Sequence, residues 1–168
     1  GEVDFPNYVC PFLSQPKSEP FDTQMVSRSP VPTAFPTDID GWLSPEEGKA
    51  LARWAKGKRV IEFGSYCGLS TVCLARTAEH VTAVDYFDGR ATPRPGDTRP
   101  AFDAAISRHG LADKVTTHHP DLPIDGEFDL AFIDGAHDTE SVQDDIRKAI
   151  EVLAPGGLLA FHDYHDCD

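Results

Sequence analysis

No apolar run in the chain approaches the ~20 residues needed to cross a bilayer, and no charged-then-apolar leader opens it. We therefore read no membrane span and no secretory signal, and expect a cytoplasmic protein; Gly1, with no Met, reads as a trimmed terminus. Cations are also scarce. Fifteen Lys+Arg face 28 Asp+Glu, a formal charge of −13 that repels phosphate backbones and anionic membranes. Nucleic acid is accordingly not an expected partner. Cysteine is sparse too: Cys10, Cys67, Cys73 and Cys167 show neither paired metal spacing nor the framework of a small disulfide-bonded domain. Free thiols in a reducing compartment are the expectation.

What is present fits one domain with a single core. Residues 1–41 hold seven of the 14 prolines and no sustained periodicity, so they read as an arm or lid. Phe5, Tyr8, Phe12, Phe21 and Phe35 favour its docking on the domain, because disordered segments are poor in aromatics. Regular patterning begins at Ser44-Pro45-Glu46-Glu47, which has the form of a capping box, and occupies 42–168. Strands are predicted at Val60–Phe63, Val81–Val84, Val115–His118, Leu130–Ile133 and Leu158–Phe161. Helices are predicted at Ser70–Ala78, Ala101–Arg108 and Glu140–Leu153, the last stopped by Pro155-Gly156-Gly157. This alternation predicts an α/β, Rossmann-like doubly wound fold, mainly parallel, with helices on both faces.

Ligands of such sheets bind beyond the carboxyl ends of the strands. The five strands lead into Gly64, Asp85, His119-Pro120-Asp121, Asp134 and His162-Asp163. One Asp after a strand is an ordinary turn residue, but five polar strand ends in succession predict a binding edge. The first loop narrows the ligand. A dinucleotide fingerprint G-x-G-x-x-G needs a middle glycine so that the backbone can approach a pyrophosphate. Tyr66 stands there instead, which disfavours NAD. S-adenosylmethionine carries no phosphate and asks for partners to its carboxylate, ammonium and ribose. Asp85, 21 positions after Gly64, suits the ribose hydroxyls; its plainer reading is a surface turn. Asp121 or a neighbour is a weaker candidate for the adenine edge.

At this point a family resemblance enters. Val60-Ile61-Glu62-Phe63-Gly64-Ser65-Tyr66-Cys67-Gly68-Leu69-Ser70 closely resembles the cofactor loop of catechol-type O-methyltransferases, within the class I S-adenosylmethionine-dependent enzymes. Phe132 to Asp138 (FIDGAHD) and Leu158 to Tyr164 (LLAFHDY) resemble bacterial small-molecule and sugar O-methyltransferases. The resemblance implies that Glu62 and the loop backbone of Gly64, Ser65, Tyr66 and Gly68 hold the methionine ammonium, and Ser70 its carboxylate. Asp85 would take the ribose. Asp134, His162 and Asp163 would hold a divalent cation, usually Mg²⁺, that chelates the acceptor oxygen. His137, three positions after Asp134, would be the general base.

Methyl transfer to oxygen suits that set, since a metal lowers the acceptor's pKa and a histidine of pKa ~6.5 can take its proton. His162 departs from the family, which commonly has an acidic residue there. Imidazole suits Zn²⁺, Mn²⁺ or Fe²⁺ better than Mg²⁺. Either the metal differs, or His162 is a bystander to Asp163, or no metal binds. The plainer reading of His137 is a residue at a helix start beside Asp138. Arg90, Arg94 and Arg99, close together in the loop from Tyr86 to Pro100, could bind an anionic acceptor or simply be solvated.

The expected function is thus a metal-assisted O-methyltransferase acting on a small hydroxylated metabolite or sugar. An NAD-binding oxidoreductase and a non-catalytic Rossmann-like interaction module are the rivals. Class I chains usually continue past the fifth strand with a helix and an antiparallel strand pair. Here the sequence stops at Asp168, so we expect a truncated chain or a partner covering the sheet edge, and with the latter a homo-oligomer.

Overall fold

A computed structural model describes residues 34–136 and 138–163. Its elements in chain order are α1 Pro45–Trp54, β1 Arg59–Phe63, α2 Leu69–Ala75, β2 His80–Val84, α3 Arg99–Arg108, β3 Val115–His118, β4 Phe128–Ile133, α4 Thr139–Val152 and β5 Leu153–Phe161. The strands form one sheet of order β3-β2-β1-β4-β5 in which every pairing is parallel. The chain reverses its direction of winding between β1 and β4, which places the switch point there.

Strand periodicity sorts the core into two layers, because successive side chains leave opposite faces. Val60, Val81, Ala83, Leu130, Phe132 and Ala160 pack with α1, α2 and α3. Ile61, Phe63, Val84, Ala131, Ile133 and Leu159 pack with α4. Helices therefore cover both faces, as expected, although unevenly. A parallel crossover is usually helical, yet residues 119–127 run from β3 to β4 without a helix. Ile124 packs that segment on the α4 layer, and Lys148 Nζ donates to the Pro120 carbonyl at 3.0 Å. Among the described residues, no helix between β3 and β4 covers the α4 side of the sheet's carboxyl edge.

The capping box at α1 forms as predicted: the Ser44 amide donates to Glu47 Oε2 at 2.7 Å, and the Glu47 amide to Ser44 Oγ at 3.3 Å. Most boundaries shift by one or two residues, and two differ by more. α2 stops at Ala75, with Thr77 and Ala78 closing a turn onto the Leu74 carbonyl. β5 starts at Leu153, where only Leu158–Phe161 was expected. Phe128 pairs with Leu153 and Leu130 with Leu158, so the Pro155-Gly156-Gly157 stretch bulges out of a strand that has already begun.

Candidate functional site

The carboxyl ends of β1, β2, β4 and β5 open into a cleft of about 700 Å³. Its first wall is the β1–α2 loop. Gly64 has φ +85°, and a Cβ there would sit 2.2 Å from the Asp134 carbonyl oxygen. The glycine is thus required by the approach of the β4 loop as well as by any ligand. Gly68, at φ +92°, caps α2 and would press a Cβ to 3.1 Å from the Phe102 ring, the helix packing expected of it.

Asp85 organises this wall. Its Oδ2 accepts the amides of Ser65 (2.7 Å) and Tyr66 (2.8 Å), and its Oδ1 that of Phe87 (2.6 Å). Tyr66 and Phe87 are both non-glycine residues at positive φ, +46° and +58°. Each such residue costs ~1–3 kcal/mol of backbone strain, while each hydrogen bond to a charged group contributes ~1.5–3 kcal/mol. The carboxylate outweighs the strain. Tyr66 therefore holds a left-handed backbone at the position of the fingerprint's middle glycine, with a side chain attached. Its ring lies 5.2 Å from that of Trp42, and its hydroxyl donates to Asp40 at 3.3 Å.

Glu62 stands apart from the other loop residues. It is wholly buried on the α1–α3 side, beneath the loop, and is not among the cleft-lining groups. Its Oε2 accepts the hydroxyls of Ser65 (2.8 Å) and Thr71. Burial pushes the carboxyl up to about 7, against the opposing hydroxyls of Ser70, Thr71 and Ser65. Glu62 supports the loop from below through Oε2, while its Oε1 is buried without an aligned partner among the described residues. Ser70, in the first turn of α2, does line the cleft, as do Gly64, Ser65, Tyr66 and Asp85. Asp121 does not: it is exposed outside the cleft and accepts the Tyr86 hydroxyl at 2.6 Å.

The opposite wall gathers Asp134, His162 and Asp163, whose ligand atoms all lie within 4.8 Å of one another. The His162 amide donates to the Ile133 carbonyl at 3.0 Å, carrying the β4–β5 ladder past its end and setting His162 beside Asp134. Nδ1 is 3.2 Å from Asp134 Oδ1 and 3.0 Å from Asp163 Oδ2; Nε2 is 3.4 Å from Glu47 Oε1. These are ion-pair distances off the line of a well-formed hydrogen bond, so among the described residues neither buried ring nitrogen has an aligned partner. Asp134 at Nδ1, then Asp163 and Glu47, push the imidazole up to about 9 against the effect of burial. Two carboxylates and a buried imidazole fit a small divalent cation, which would displace the Nδ1 proton. His137 lies outside the described residues, as do Cys10, Cys167 and most of the Pro-rich arm. Its neighbour Asp138 caps α4, accepting the Ser141 amide at 3.0 Å.

The three loop arginines do not form an anion cradle. Arg90 pairs with Asp88, Arg94 with Asp40 and Arg99 with Asp103, and only Arg90 lines the cleft. Conversely, Asp145 and Lys148 line the cleft on the side of the helix-free crossover, and sequence reading passed over both. Burial pushes the Asp145 carboxyl up to about 6. The signal for this pair was helical spacing, since Ser141, Asp145 and Lys148 share one face of α4. Trp42 and Glu47 were missed because nothing local links them to the strand ends.

Comparison with known proteins agrees with this geometry. A family model described as a methyltransferase domain matches residues 61–164, well over half of the chain. Cofactor-bound Rv0187 from MTB is 28% identical, with a TM-score of 0.57 over 70% of this chain and 55% of its own. The O-methyltransferase TomG of Streptomyces achromogenes, in complex with SAM, is 20% identical, with a TM-score of 0.57 over 70% of this chain and 55% of its own. The O-methyltransferase from Bacillus cereus in complex with SAH is 23% identical, with a TM-score of 0.56 over 70% of this chain and 56% of its own. The chain spans about half the length of each of these proteins. It belongs to the methyltransferase-domain family and has the Rossmann-like fold of the class I, S-adenosylmethionine-dependent methyltransferases.

Proposed function

We propose that this domain binds S-adenosylmethionine and transfers its methyl group to a hydroxyl oxygen of a small metabolite or sugar, with a divalent cation assisting. The carrying observation is the Asp134–His162–Asp163 cluster, set in the same cleft as the Asp85-anchored loop. The loop supplies the cofactor side. Ser70 and the first amides of α2 suit the methionine carboxylate. Asp85 already accepts three amides, but a carboxylate has about four lone-pair sites, which leaves capacity for a ribose hydroxyl. Tyr66, which lines the cleft where a dinucleotide fingerprint has glycine, argues against a pyrophosphate ligand.

Asp134, His162 and Asp163 would hold the cation, which when bound lowers the pKa of an acceptor hydroxyl. S-adenosylmethionine, when bound, would supply the methyl carbon to the acceptor oxygen, its carbon–sulfur bond breaking to leave a thioether. In our reading His137 takes the hydroxyl proton, a role worth ~10²–10⁴ in rate. The excess of carboxylates around the cleft favours a neutral or cationic acceptor over an anionic one. Calorimetry with S-adenosylmethionine, S-adenosylhomocysteine and NAD tests the cofactor: both sulfur ligands should bind and NAD should not. Failure of both sulfur ligands overturns the reading. His137→Ala should lower kcat far more than cofactor affinity, and an unchanged kcat would remove the base assignment.

A further inference from the structure

The carboxylate of Glu47 has two oxygens with two different duties. Oε2 accepts the Ser44 amide and closes the capping box of α1. Oε1 reaches across the fold to His162 Nε2, 3.4 Å away and 115 positions along the chain (162 − 47). The His162 side chain is only 10% exposed, and its ring meets Phe132 edge-on at 6.4 Å between centroids. Its backbone is pinned to Ile133. Nδ1 faces Asp134 and Asp163; Nε2 faces Glu47.

A neutral imidazole offers a lone pair at one nitrogen and a proton at the other, and the acceptor beside the second nitrogen decides which is which. We propose that Glu47 is a positioning residue: its Oε1, 3.4 Å from Nε2 and off the hydrogen-bond line in this structure, would take the hydrogen bond of the Nε2 proton when a cation binds, leaving the Nδ1 lone pair directed at the site between Asp134 and Asp163. The N-terminal cap of α1 and the cation site are thereby one unit, and the cleft-lining strap Asp40–Leu43, which runs into Ser44, is tethered to it. This inference rests on the cation reading given above, and it adds a fourth residue to that reading without making it a ligand.

Glu47→Gln separates the two duties. Glutamine also completes a capping box, because its amide oxygen can accept the Ser44 amide. The NH₂ group would then face Nε2 and donate to it, which moves the ring proton to Nδ1 and blocks the ligand position. Mn²⁺ titration of the full chain, followed by the paramagnetic resonance of the free ion, should show binding ~10–100-fold weaker in Glu47→Gln than in wild type. The cation-free melting temperature should hold. Ser44→Ala should do the reverse, lowering the melting temperature by a few degrees while leaving Mn²⁺ affinity within about twofold.

Should Glu47→Gln fold poorly, the wild-type protein still decides the matter. In its Zn²⁺-loaded form, nitrogen NMR of the imidazole should place the proton on Nε2 of His162, and a proton on Nδ1 overturns the proposal. Equal Mn²⁺ affinity in wild type and Glu47→Gln also overturns it while leaving the cation reading intact. A wild-type protein that binds S-adenosylhomocysteine but no Mn²⁺ removes both.

Discussion

The two walls of the cleft are built on opposite principles. In the β1–α2 wall most polar groups are matched: Asp85 takes three amides and Glu62 Oε2 takes hydroxyls from beneath, while Glu62 Oε1 alone is buried without an aligned partner among the described residues. In the β4–β5 wall, three carboxylates surround one buried imidazole at ion-pair distance, with neither ring nitrogen in an aligned hydrogen bond among the described residues. A largely matched wall is preorganised, so its mutation should unfold or loosen the protein. A wall that gathers like charges around one imidazole gains less stability from each of them, so its mutation should alter ligand affinity more than stability.

The largest effect should come where the walls touch. Gly64→Ala places a Cβ 2.2 Å from the Asp134 carbonyl in a backbone that L side chains rarely adopt. Neither backbone can yield without breaking the Asp134 amide's 2.8 Å bond to the Phe63 carbonyl. We expect a loss of ~3–5 kcal/mol in chemical denaturation, or failure to fold. A melting temperature equal to wild type would mean that the walls are not rigidly joined. Next comes Asp85→Asn. The amide keeps one acceptor oxygen but turns a donor toward amides that also donate, at a cost of ~2–4 kcal/mol and at least ~10-fold in S-adenosylmethionine affinity by calorimetry. An effect on affinity alone would show that Asp85 serves the ligand and not the loop.

Asp163→Asn tests the other wall. It removes one carboxylate from an overcrowded cluster, so Mn²⁺ affinity should fall by at least ~10-fold while the melting temperature moves by no more than ~2 °C. Destabilisation as large as that of Asp85→Asn would abolish the contrast between the walls. The contrast also has a pH signature. Glu62 has its carboxyl raised from 4.5 to about 7 in the folded state. Between those values the native protein holds a proton that the unfolded chain has released, so stability falls as pH rises through the window, by at most about 3 kcal/mol. Glu62→Gln mimics the protonated form and should flatten that part of the profile in denaturation measured from pH 5 to pH 8. An undiminished slope would assign it to another group.

Much of this was legible beforehand, and the missing parts share a cause. The all-parallel sheet followed from alternating apolar runs, and the capping box at Ser44 from four consecutive residues. Asp85 was found by its spacing from Gly64, but its grip on Ser65, Tyr66 and Phe87 was not, because left-handed Tyr66 and Phe87 leave no compositional mark. The burial of Glu62 was in fact readable. It shares a strand face with Val60, two positions away, and that face packs beneath α1–α3. The Glu47–His162 contact joins the first helix to the last strand's end, and no local pattern encodes so distant a pair. The early start of β5 was hidden by Pro155-Gly156-Gly157, whose turn chemistry describes a bulge as well as a stop.

The smallest effects are expected at the arginines outside both walls. The Arg94–Asp40 and Arg99–Asp103 pairs have side chains about half exposed, where solvent screening leaves an ion pair little net stabilisation. Arg99→Ala and Arg94→Ala should each melt within about 2 °C of wild type. They need not be equivalent in function. Arg94 also lies over the Trp42 ring, 5.4 Å from its centroid, and Asp40 and Trp42 line the cleft mouth. Arg99 instead lies over the buried Phe87, 5.1 Å from its centroid. Arg94→Ala should therefore raise the acceptor KM severalfold by freeing the strap, with kcat held, while Arg99→Ala leaves both unchanged. If the two variants raised KM equally, the effect would come from charge felt at a distance. Trp42 and Asp40 would then be bystanders at the mouth, and acceptor binding would depend on the two walls alone.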